Sequence, residues 1–203
     1  MSHWWGGLSL KNKLQIPIQL ALFVIIVLAQ RAALGKYEEL LLEGPRQKAV
    51  IAADGVLNGL NMLMINGIIS NAEQRALFIR KMGTSEKMLE LRVIRNKPVQ
   101  DQYGPGLPSE QPGDEMDRDT LESAKEQSKL LDQNGVQSLR VVVPFIAKRN
   151  FRGTNCLDCH KVTEGTVNGA VSITLDVSDE FSEMRYANII MWATQAVTQM
   201  FLY

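Results

Sequence analysis

Residues 16–29 read IPIQLALFVIIVLA, in which no side chain is charged and Gln19 alone is strongly polar. With its flanks this run approaches the roughly 20 residues that a helix needs to cross a bilayer. Lys11 and Lys13 precede it, so the positive-inside rule places residues 1–13 in the cytoplasm and the chain beyond the run outside. The expectation is a transmembrane anchor over 14–34 in a bacterial inner membrane, with the main domain in the periplasm. A cleaved signal peptide is the competing reading, with Ala33, Leu34 and Gly35 as a small-residue site.

The other end, YANIIMWATQAVTQMFLY, carries no charge over residues 187–203. A helix of that length rises about 25 Å, short of the roughly 30 Å of hydrocarbon, and Asn188, Gln195 and Gln199 make it polar for a lipid-facing surface. A second membrane helix over 183–203, complete or partial, is expected, with its amides meeting another subunit; an amphipathic helix lying on the membrane or the domain is the alternative. The 22 basic and 22 acidic side chains cancel, which gives no electrostatic case for a nucleic-acid partner.

Between these ends, residues 36–81 read as helix, with Ala53, Leu57, Leu60, Met64 and Ile68 on one apolar stripe and a kink or restart at Gly44-Pro45. NAEQRALFIRKMG forms a separate helix capped by Asn71 and ended by Gly83. LELRVIR alternates as a half-buried strand, and residues 97–115 read as loop. DRDTLESAKEQSKLLDQNG reads as a polar helix stopping at Asn134-Gly135. LRVVVPFIA is a second strand with Pro144 at an edge or bulge; GTVNGAVSITLDV gives a third and a fourth, broken at Gly169. Helix resumes with Ser178 or Asp179 as cap. The sum is an α+β domain over 35–182 held between two membrane segments.

Both cysteines and one of the two histidines fall in five residues, Cys156-Leu-Asp-Cys159-His160. A thioredoxin-type pair would open a helix in a βαβ unit, whereas this pair follows a basic loop. Structural zinc needs four ligands, and three are present once His3 is placed across the membrane. A disulfide would close a very tight ring and leave His160 without a role. The remaining chemistry is one covalent haem c: the two thiols add to vinyl groups and the adjacent histidine takes one face of the iron. For the other face there are six methionines between the membrane segments: Met62, Met64, Met82, Met88, Met116 and Met184. Met64 lies on the apolar stripe with Gly67 nearby, although methionines on such a face also serve as core filler. Lys148, Arg149, Arg152 and Lys161 are candidate partners for haem carboxylates. With no second histidine outside and no recognisable carboxylate pair, no general base stands beside the iron, and the chain is not expected to be an enzyme.

ELRVIRNKPVQDQYGPGLPSEQPGDEMDRD, and LRVVVPFIAKRNFRGTNCLDCHKVTEGTVNGAVSITLDVS after it, resemble the periplasmic haem c sensor domains of bacterial methyl-accepting chemotaxis proteins, over roughly residues 50–180. The resemblance implies a PAS-like, Cache-type sheet with a long N-terminal helix, in swapped dimers in which that helix meets a neighbouring haem. It implies a distal methionine from the segment similar to LNMLMINGIIS, which falls on Met64 with Met62 in reserve. Receptors of that kind continue past a second membrane helix into a cytoplasmic signalling coiled coil, so a sequence reaching Tyr203 is expected to be truncated before it. The functional expectation is a sensor responding to redox state or a small ligand, as a homodimer. The alternative is a monohaem cytochrome subunit of a larger membrane complex, with an electron-transfer or structural role.

Overall fold

A computed structural model describes residues 9–133 and 135–202. The chain divides into two compact bodies, Glu43–Asp179 and the pair of segments formed by Met1–Leu42 with Glu180–Tyr203.

The first helix, α1, runs Leu10–Ile65 without interruption. Of the kink or restart expected at Gly44-Pro45, the restart does not occur. Proline in a helix interior forfeits a hydrogen bond and costs about 3 kcal/mol. Here Pro45 is buried, and Arg46 beside it donates to both oxygens of Glu43, at 2.9 and 2.8 Å, and to Glu126. The boundary of the larger body falls at the same place, between Leu42 and Glu43.

In the larger body α1 buries Ala49, Ala53, Val56 and Leu60, the stripe that the spacing of apolar residues predicts, shifted so that Val56 replaces Leu57. The stripe ends before Ile68, which is 42% exposed and follows Gly67 at φ 70. Helix α2 (Ala72–Met82) begins where expected: the Asn71 side chain accepts the N–H groups of Glu73 and Gln74, and Gly83 closes the last turn.

Strand β1 (Met88–Arg95) comes next, then helix α3 (Lys97–Tyr103), helix α4 (Glu115–Ser123), and strands β2 (Gln127–Gln133), β3 (Val136–Ile146) and β4 (Val167–Asp176). They form one antiparallel sheet in the order β1-β4-β3-β2. The protein is thus α+β.

Three sequence expectations are corrected in this region. Residues 97–115 are not all loop: Asn96 caps α3, with Pro98 in its first turn, where a missing N–H costs nothing, and Pro108–Glu110 makes a 3₁₀ turn. The polar helix extends only to Ser123, because Ala124 turns to φ 56 and ends it; the residues after it pair with β3, Gln127 opposite Val142 through Gln133 opposite Val136. Tertiary pairing there overrides local helix propensity. Asn134, the first half of the expected stop signal, lies outside the described residues. Third, β4 passes through Gly169 unbroken. A Cβ at Gly169 would lie 2.3 Å from the Ile94 carbonyl oxygen, so glycine serves close strand approach rather than a break. Gly169→Ala is expected to cost about 1–3 kcal/mol by overpacking, read as a lowered urea midpoint.

Pro144 satisfies both halves of its expectation. β2 ends opposite Val142, so β3 has a free edge at Pro144, and a bulge comes between Phe145 and Ile146. On one sheet face α4 packs over Ile94, Val142 and Ala170 through Leu121 and Met116. The same face carries a charged cluster. Asp117 is fully buried; its carboxylate accepts from Arg92 Nη1 at 3.1 Å, from the Gly113 N–H at 2.8 Å, and from Arg140. Asp114 caps α4 and also pairs with Arg140.

Helix α5 (Ser178–Leu202) begins at the end of the larger body with Ser178, whose N–H donates to the Asp176 carboxylate at 2.8 Å, and from Glu180 on it belongs to the other body. Ile16, Gln19 and Phe23 of α1 line a groove with Trp192, Gln195 and Gln199 of α5. Among the described residues α1 is the one helix long and apolar enough to cross a membrane; the most apolar 18-residue window has mean hydropathy 2.0 and none of it is buried in the protein. This helix could be a membrane anchor. The expected cytoplasmic stretch over residues 1–13 lies largely outside the described residues.

Candidate functional site

The connection from β3 to β4 carries the two cysteines. A β-bridge between Phe151 and Thr154 folds its tip, and the Asn61 side chain of α1 donates to Thr154 Oγ1 at 3.0 Å. Cys156–Asp158 then forms a single 3₁₀ turn capped by Asn155. The Cys156 N–H donates to the Lys148 carbonyl and the His160 N–H to the Cys156 carbonyl, each at 3.0 Å. These bonds fix both cysteines and His160 on one compact turn.

Helix α3 clamps that turn from the side. Gln102 Nε2 donates to the Cys159 carbonyl at 2.8 Å, Gln102 Oε1 accepts the Lys161 N–H at 2.9 Å, and the Tyr103 hydroxyl also donates to the Cys159 carbonyl. The Tyr103 ring meets the His160 imidazole edge-on, with centroids 5.6 Å apart and planes at 87°.

His160 is 9% exposed, and its buried Nδ1 has no hydrogen-bond partner among the described residues. Burial pushes the His160 pKa below its ordinary value, which favours the neutral imidazole that binds metals. Both thiols are unpaired, Cys156 half-buried and Cys159 exposed. Among the described residues no three His, Cys, Asp or Glu side chains converge as a metal-holding group. The cysteines and His160 therefore do not share one coordination point, as a zinc site would require.

His160 and Cys159 form part of the wall of a cavity of about 470 Å³. Its apolar lining comes from Leu60, Ile69, Val93, Ile94, Val99 and Phe145, and Met64 lines it as well. A second cavity of about 80 Å³ shares Met64, Phe145, Cys159 and His160 and adds Cys156 and Leu57. The structure thus brings Met64, Cys156, Cys159 and His160 around one pair of cavities within a single chain. Met62 is 53% exposed and lines neither cavity. The four basic residues proposed from sequence also lie elsewhere: Lys148, Arg149, Arg152 and Lys161 are exposed, with Arg149 paired to Glu164 and Arg152 to Asp54.

The charged groups that do reach the larger cavity are Arg75, Arg95 and Glu110, residues that sequence reasoning missed. Arg95 is the last basic position of the alternating LELRVIR strand, which was a usable signal. Arg75 and Glu110 lie 35 residues apart, with no local pattern to pair them. Burial pushes the Arg95 pKa below its ordinary value, against the opposing pull of Glu110.

No protein-family model matches the chain, and no curated protein matches it.

Proposed function

We propose that this chain is a membrane-anchored, periplasmic monohaem c-type protein of the chemoreceptor-sensor kind, reporting redox state or a small ligand. The observation that carries the reading is a cavity lined by both His160 and Met64, directly beside a C-x-x-C-H turn. Its volume of about 470 Å³ lies within the roughly 300–1,000 Å³ of cofactor sites. The buried, unpartnered His160 and the largely apolar lining fit a flat, greasy metallocycle with one nitrogen ligand. Four antiparallel strands preceded by a long helix support the PAS- or Cache-like version of the fold.

Cys156 and Cys159 would hold the porphyrin by thioether bonds, and His160 and Met64 would serve the two faces of its iron. When bound, the group supplies a redox-active iron whose thioether-side ligand is weak enough to be exchanged. The chain's own residues do the rest. Gln102 and Tyr103 lock the Cys159 carbonyl and hence the direction of the His160 backbone. Tyr103 fixes the imidazole plane, and Phe145, Val93 and Leu60 exclude water. Met64 sits on α1, the helix that also carries the apolar N-terminal span. A change at Met64 therefore acts on the same helix that would enter the bilayer, which favours signalling over simple electron storage. The groups placed around the cavity are suited to binding rather than to acid–base catalysis.

The assignment of Met64 is tested by absorption spectra of the oxidised and reduced protein. Met64→Ala is expected to abolish the methionine–iron charge-transfer band and leave the haem covalently attached, while Met62→Ala leaves the spectrum unchanged. An unaltered Met64→Ala spectrum would remove Met64 from the site. Exposed apolar side chains on α5, Ile189 at 65% and Val197 at 51%, favour a further protein partner in the membrane. A second copy of this chain fits that role, as does a subunit of a larger complex in the cytochrome reading. Crosslinking in native membranes separates the two.

A further inference from the structure

Three charged side chains line the larger cavity, two cations and one anion: Arg75, Arg95 and Glu110. Glu110 is 2% exposed, and its carboxylate is saturated. It accepts from Arg75 Nε, from Arg75 Nη2 at 3.3 Å and from the Leu107 N–H at 3.0 Å, and Arg95 Nε lies 2.8 Å from it. Arg75 is further satisfied by the Ile69 carbonyl at 2.6 Å and Arg95 by the Gly104 carbonyl at 3.3 Å. Among the described residues Arg95 Nη2 has no hydrogen-bond partner, and the Arg95 side chain is 14% exposed.

One positive charge on this wall is therefore left without a carboxylate. Asp114 and Asp117 do not supply one, because they face Arg92 and Arg140. An uncompensated charge held partly out of water is costly, and a guanidinium edge matches a carboxylate in shape as well as charge. The surrounding loop is built to hold the group. A Cβ on Gly106, at φ 75, would lie 2.1 Å from Glu110 Oε2 and 2.6 Å from Arg95 Nε, so only glycine lets the backbone pass this close.

We propose that Arg95, braced by Glu110 and Arg75, is a carboxylate-binding site in the cavity wall. The source of the carboxylate rests on the proposed function: a haem propionate if haem occupies the cavity, a free small carboxylate if it does not.

The test uses the full chain, made in a host that attaches haem outside its cytoplasmic membrane. Arg95→Gln leaves Arg75 and Glu110 as a balanced pair, so the fold is expected to survive. Loss of the cation favours the oxidised iron, and the midpoint potential is expected to shift to more negative values. Because the site is buried, the shift should persist at high salt. Arg95→Lys, a point charge without the fork, should shift it less, and Arg149→Gln, whose partner is exposed Glu164, not at all. A wild-type potential in Arg95→Gln, with haem still attached, overturns the carboxylate site while leaving the haem reading standing. Should Arg95→Gln fail to fold, Arg95→Lys is decisive, with a wild-type potential again overturning the proposal. If the purified chain carries no haem, the functional reading has failed, and succinate is titrated calorimetrically instead. Binding that is lost in Arg95→Gln and weakened in Arg95→Lys then supports a free carboxylate ligand; absence of binding to the wild type overturns the site.

Discussion

Asp117→Ala is expected to lose about 3–5 kcal/mol of folding stability, the cost of breaking a buried ion pair from one side. Asp117 is fully buried between Arg92 and Arg140 and also accepts the Gly113 N–H. Its removal leaves two guanidiniums facing each other under α4. Denaturant unfolding monitored by circular dichroism reads the effect, and a loss below about 1 kcal/mol, the scale of an exposed pair, would contradict it. The neighbouring Asp114 adds a pH dependence. The hydrogen bond from Arg140 holds its carboxyl below the ordinary aspartate value, against partial burial. A depressed carboxyl contributes stability that is present above the ordinary value, near 3.9, and lost as pH falls through the folded-state value. Unfolding midpoints should therefore drop between about pH 4 and more acidic conditions, and drop less in Asp114→Asn.

His160→Ala should behave in the opposite way, costing little stability and all of the histidine ligation. The imidazole touches Tyr103 edge-on, but its buried Nδ1 has no partner among the described residues. Truncation thus removes an unsatisfied polar atom along with some packing, for a net cost on the order of 1 kcal/mol. If His160 binds the iron, the same change should erase the low-spin spectrum of the wild type, while the circular dichroism and urea midpoint stay close to wild type. A variant that unfolds as readily as Asp117→Ala would mark His160 as a core residue. A variant with an unchanged spectrum would exclude it as a ligand. Taken together, Asp117 and His160 separate what holds this domain from what it holds.

The contrast explains which parts were legible in the sequence. Local rules served where local chemistry decides: Asn71 caps α2 through its own side chain, and the run LELRVIR forms β1. The C-x-x-C-H spacing was legible because the two thiols and the histidine act as one turn. Local rules failed where a distant partner decides. The segment after Ala124 has helix-compatible composition, yet it supplies the outer strand of the sheet because β3 offers an unpaired edge. Pro98 and Gly169 looked like breakers; one sits in a first helical turn and the other beneath a neighbouring carbonyl. Gly44-Pro45 lies inside a continuous helix whose ion pairs, through Arg46, reach Glu126.

The candidate site divides in the same manner. Met64 was reachable from the apolar stripe and from the resemblance to chemoreceptor sensor domains, and the structure places it with His160 in the lining of one cavity. The cationic groups chosen from sequence were the ones nearest the motif, and these are exposed, with Arg149 and Arg152 paired elsewhere. Arg75, Arg95 and Glu110 arrive from α2, β1 and the turn after α3, and only the fold assembles them.

The most direct measurement on the central claim is made on the unfolded chain. The protein is purified from a host that matures c-type haem, denatured, and extracted with acidified acetone, and the polypeptide is weighed by mass spectrometry. The account predicts colour that stays with the chain, a mass increased by one haem, and no reaction of Cys156 or Cys159 with a thiol reagent. A colourless polypeptide of unmodified mass with two freely reactive thiols would contradict it.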